Sequence, residues 1–135
     1  MTYIDLEFET EASRGAPLGD IASSLVTIDD LLRDLATISA DSSTAEFREV
    51  RVVAIQLRNP LKIKLSLFAI PAKAVTAFQE ICRDIIVFRE RRVEPLARIT
   101  RTLGVTDAEA QRLSAHIMSL RNAAVPLKRV VVSDE

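Results

Sequence analysis

The chain has 135 residues, 48% of them hydrophobic and 27% charged, with a formal net charge of −1. That size and balance suit one α+β domain spanning 1–135 with a core of its own, and they exclude a wholly disordered chain and a strongly basic nucleic-acid binder. The charge is nevertheless sorted: residues 1–49 hold eleven acids against three arginines (−8), and residues 50–101 hold eleven basic groups against four acids (+7). The fold, a second copy of the chain or an outside partner must neutralise these blocks.

In Thr2–Phe8, Ile4, Leu6 and Phe8 alternate with Tyr3, Asp5 and Glu7, which predicts a half-buried strand. Residues 10–19 contain Ser13, Gly15, Pro17 and Gly19 and read as a loop. From Leu18 to Ser39, Ile21, Leu25, Ile28, Leu32, Leu35 and Ile38 recur at three- and four-residue steps, the pattern of an amphipathic helix. Residues 40–44 are small and polar and end it.

Residues 49–57 and 61–69 are strand-like and flank Arg58-Asn59-Pro60. Strand side chains alternate faces, so an odd-numbered loop sets Val53, Ile55 and Leu57 on the face of Leu61, Ile63 and Leu65. The helices are expected to roof that face. Lys62, Lys64, Ser66 and Phe68 then share the other, where Asp5 and Glu7 of the first strand are expected to meet the two lysines.

Pro71 suits a helix start, because its missing N–H has no intrahelical partner there. Val75, Phe78, Ile81, Cys82, Ile85, Ile86 and Phe88 then form a broad apolar arc, with Val87 outside it, and Arg89, Arg91 and Arg92 close the segment. A shorter helix is predicted after Pro95, with Leu96, Ile99 and Leu103 inward, stopping at Gly104. Thr106 and Glu109 have the spacing of a capping box and open a helix carrying Leu113, Ile117 and Leu120, which ends before Pro126. Residues 127–132 read as a last strand.

The order β-α-β-β-α-α-α-β predicts an α+β fold: a small antiparallel sheet of three to four strands with helices packed on one face.

Little in the chain points to chemistry. Cys82 lies in the apolar arc, where a thiolate is disfavoured. His116 follows Leu113 on a helix and reads as a packing residue. Asp30 and Asp34 share a helix face, but a hard cation needs several oxygens from a shaped loop. With one histidine, one cysteine and three glycines, no zinc site or glycine-rich phosphate loop is expected. No catalytic, cofactor-binding or metal-ligating residue is therefore assigned, and the protein is expected to be a non-enzyme. A single cysteine, no signal-peptide pattern and no apolar stretch long enough to span a bilayer give cytoplasmic as the expected location.

Three binding readings remain. The width of the arc, with Val75, Phe78, Cys82 and Ile85 as a seam and Val87 beside it, points to self-association as a homodimer or to a heteromeric partner. The contact residues this reading selects are Arg89, Arg91, Arg92, Arg98, Arg101, Lys62, Lys64 and Val87. Second, residues 96–122, with Ile99, Leu103, Val105 and Leu113 apolar and Gly104 at the turn, resemble the helix-turn-helix of DNA-binding regulators. The resemblance implies duplex DNA as the alternative partner, although Thr100 stands where a small alanine is usual and Asp107 and Glu109 open the recognition helix. Third, Lys62, Lys64 and Phe68 on one strand offer charge and one stacking ring to single-stranded nucleic acid.

Overall fold

A computed structural model describes residues 1–10, 16–39, 49–56, 60–91 and 104–134. Its elements run β1 (Thr2–Phe8), α1 (Leu18–Ser39), β2 (Glu49–Gln56), β3 (Leu61–Phe68), α2 (Ala72–Arg91), α3 (Asp107–Arg121) and β4 (Leu127–Asp134). The predicted helix after Pro95, the turn residues Arg58 and Asn59, Leu57, and residues 40–44 lie outside the described residues, as does the side chain of Phe88.

The four strands form one antiparallel sheet in the order β2-β3-β1-β4. Disregarding α3, this is the β-α-β-β-α-β succession of ferredoxin-like, split-βαβ folds. The helices pack on one face, as the sequence predicts. Alternation in β1 buries Ile4, Leu6 and Phe8, and alternation in β3 buries Leu61, Ile63, Leu65 and Leu67. Against them lie Ile28, Leu31, Leu32 and Leu35 of α1, Phe78, Ile81 and Ile85 of α2, and Leu113, Ile117 and Leu120 of α3. Each such side chain contributes roughly 1.5–3 kcal/mol through burial.

Register answers part of the charge problem. Asp5 stands opposite Lys64 and Glu7 opposite Lys62, so the acidic first strand lies against the basic third. Lys62 Nζ approaches Glu7 Oε1 at 3.6 Å, and Lys64 Nζ sits 4.7 Å from the centre of the Tyr3 ring. Such half-exposed pairs contribute only about 0–1 kcal/mol each; their main effect is to remove like-charge repulsion within each strand.

The hairpin register is the odd-loop kind: Gln56 pairs with Lys62, and Ile55 with Ile63. Two corrections follow from the rest of β2. A bulge between Val52 and Ala54 sets Val52, rather than Val53, as the partner of Leu65. The helical roof also stops at β3: from Arg51 to Gln56 every β2 residue is exposed, whereas its β3 partners are buried in alternation. β2 is the outermost described strand, and no described helix makes more than slight contact with it.

The width of the α2 arc has an internal cause. Val75, Phe78, Cys82 and Ile85 are all buried within the single chain, against the sheet, α1 and α3. The seam read as a dimer contact is thus core. Val87, expected to be exposed, is half-buried beside β4.

Candidate functional site

The features that face outward are the two edges of the sheet and a polar pair between helices. At the first edge, β2 reads Glu49-Val50-Arg51-Val52-Val53-Ala54-Ile55-Gln56, rich in the β-branched residues that favour strands. Val52, Val53 and Ile55 retain 48%, 50% and 54% of their surface exposed. Scattered exposed apolar residues are ordinary, but three within four positions form a patch on a strand beyond which no described strand pairs. The strand's charges are confined to its start, where Arg51 Nε meets Glu49 Oε1 at 2.7 Å.

At the opposite edge, β4 pairs with β1 alone among the described strands, and a bulge at Glu7/Phe8 leaves Lys128 without a partner in β1. Helix α2 packs against this strand, and a groove of about 180 Å³ between them is lined by Gln79, Arg83, Ile86, Val87, Lys128, Arg129 and Val130. On the open sheet face, Asp5, Glu7, Lys62, Arg129 and Val131 surround a second depression of about 270 Å³. Its acids and bases alternate across the strands, so its charges largely neutralise one another.

The third feature joins two residues considered separately in the sequence. His116 Nε2 lies 2.8 Å from Asp34 Oδ2, linking α3 to α1 across 82 positions of chain. Both are partly buried, and no periodicity within one helix reports such a pair. Asp30 stays exposed, and Arg33 bonds Asp29 at 3.0 Å instead. Neither depression described above includes His116 or Asp34. The pair ties α1 to α3.

Cys82 is fully buried, and desolvation pushes its thiol far above the ordinary cysteine range. It behaves as a small core hydrophobe. Among the described residues, no three histidine, cysteine, aspartate or glutamate side chains converge as metal ligands, and no helix is long and apolar enough to cross a membrane.

Of the contact residues selected from sequence, Lys62 and Lys64 are engaged by Glu7 and Tyr3. Val87 lines the α2–β4 groove, and Arg89 and Arg91 occupy the last positions of α2. Arg92, Arg98 and Arg101 lie outside the described residues. The first half of the helix-turn-helix resemblance lies there too. Its second helix is α3, whose capping box is formed: Glu109 N–H donates to Thr106 Oγ1 at 3.2 Å, and Thr106 N–H donates to Glu109 Oε1 at 2.9 Å. The bond from the Thr106 N–H, and after it the Thr106 side chain, hold the Glu109 carboxyl below its ordinary range, which in the helix-turn-helix reading sets a carboxylate where a DNA phosphate would dock. Phe68 is 55% exposed at the sheet margin, the one aromatic on that face besides Tyr3 among the described residues.

No protein-family model, no curated protein and no solved structure matches this chain.

Proposed function

We propose that the protein is a cytoplasmic, non-enzymatic protein–protein interaction module that self-associates as a homodimer through β2. The observation that carries this reading is the unroofed β2 edge, with Val52, Val53 and Ile55 half exposed. A second copy suits this strand. In an antiparallel pair, residues opposite one another share a face, so a regular strand cannot pair with its copy about a point midway between two residues. The β2 bulge removes that bar. Val50 and Ile55 both lie on the helix side, opposite Leu67 and Ile63, while Arg51 and Ala54 both lie on the open side, opposite Ser66 and Lys64. A twofold axis between Val52 and Val53 therefore pairs Val50 with Ile55, Val52 with Val53, Arg51 with Ala54 and Glu49 with Gln56, and sets no like charges opposite each other. Closed twofold dimers are also the commonest protein assembly.

Sedimentation of the whole chain at roughly tens of micromolar tests this, since a concentration-dependent dimer is expected. Ile55→Lys should give a monomer whose stability stays within about 0.5 kcal/mol of the parent, because the position is exposed. A parent chain that sediments as a monomer, or an Ile55→Lys variant that stays dimeric, overturns the β2 reading. DNA recognition by residues 96–122 is the competing proposal, and salt-sensitive binding of duplex DNA would support it.

A further inference from the structure

The second edge carries a different signal. The α2–β4 groove collects three cations, Arg83, Lys128 and Arg129, around Ile86, Val87 and Val130, and none of its described lining residues is an acid. None of the three is ion-paired within the structure's described residues. Glu7, the cross-strand neighbour of Arg129, is engaged instead by Lys62. Beside the groove runs the outer backbone edge of β4, with hydrogen-bonding groups spaced for another strand. Cations on an edge strand also serve to repel unwanted pairing, but that role does not call for an adjoining apolar floor under a helix.

We propose that this groove docks an extended acidic segment of a partner protein, which adds to β4 as a fifth strand. Alternate apolar side chains of the segment would cover Ile86, Val87 and Val130, and its carboxylates would meet Arg83, Lys128 and Arg129. Main-chain bonds supply binding in this mode, and side-chain pockets and charge supply selectivity. The proposal extends the interaction-module reading to a surface on the opposite side of the sheet from β2. The two therefore fail independently: one is read by sedimentation, the other by peptide binding.

The probe is a fluorescently labelled peptide alternating valine and aspartate over about eight residues, a strand's length. Anisotropy with the whole chain should show binding that weakens with salt. A matched valine–lysine peptide should bind at least tenfold more weakly for want of charge complementarity, and a single-stranded oligothymidylate, anionic but with no backbone that can add to β4 as a strand, should also bind more weakly than the acidic peptide. The double variant Arg83→Glu, Lys128→Glu should lose roughly tenfold or more in affinity, as expected for reversing charges at a contact surface. Should it fold poorly, amide shift mapping on the parent chain decides the matter, with changes expected along β4 and α2. No binding of the acidic peptide at millimolar concentration, equal binding of the lysine peptide, preference for the oligonucleotide, or shifts confined to β2 would each overturn the proposal.

Discussion

Thr106 illustrates how much one side chain decides. Its hydroxyl satisfies one of the orphan N–H groups of the first α3 turn, and Glu109 returns the bond. Thr106→Ala is expected to lower stability by about 1 kcal/mol in chemical denaturation. Glu109 adds a pH dependence. Its carboxyl is held low by the bond from the Thr106 N–H first and by the Thr106 side chain second, so the ionised form is the stabilising one. The contribution is complete above the glutamate's unfolded value, about 4.3, and is lost as pH falls through the lower folded value. The melting-temperature gap between parent and Glu109→Gln should therefore close as pH drops from neutral into that acidic range. Ala69, between β3 and α2, has a φ of +58°, a left-handed conformation that costs a non-glycine residue roughly 1–2 kcal/mol. Ala69→Gly relieves this at an entropic cost of about 0.5–1 kcal/mol in the unfolded chain, so a net gain of a few tenths to about 1 kcal/mol is expected in the same assay. The capping box was legible from residue types at fixed spacing. The strain at Ala69 was not, because alanine carries no signal for positive φ.

Helix α2 shows where periodicity stops informing. The spacing of Val75, Phe78, Cys82 and Ile85 reveals a wide apolar arc but not what covers it. The covering is β-sheet on one side and α1 and α3 on the other, a matter of three elements distant in sequence. The loop parity of the β2–β3 hairpin followed from face alternation alone, whereas the bulge in β2 did not, since an unpaired extra residue leaves no mark in a run of valines. The burial of Cys82 yields a measurable expectation. Its thiol should resist a disulfide reagent in the native protein and react at the rate of a free cysteine only in denaturant. Rapid native modification would mean that the α2 interface opens far more readily than its packing implies.

At the scale of the molecule, charge sorting by sequence becomes partial neutralisation in space, because the strand order sets acidic β1 beside basic β3. The β1–β3 adjacency was legible in the opposed charges of Asp5 and Glu7 against Lys62 and Lys64, but the places of β2 and β4 at the two edges were not, since alternation assigns faces and not neighbours. The same order sends β2 and β4 to opposite edges with two strands between them, a separation of about 14 Å at the usual strand spacing. Pairing along one edge therefore occupies none of the backbone groups of the other, and the groove residues Arg83, Lys128 and Arg129 make no cross-strand contact with β2. If β2 joins two copies, the sheet becomes continuous over eight strands and ends in β4 on both sides, each with its own cationic groove. The dimer should then take up two acidic peptides without cooperativity. The Ile55→Lys monomer should take up one, with an affinity within about twofold of the parent, since no differential contact couples the edges. Calorimetric titration of both proteins measures this directly. Loss of peptide binding in the monomer would show that a single composite surface, and not two separate edges, recognises partners.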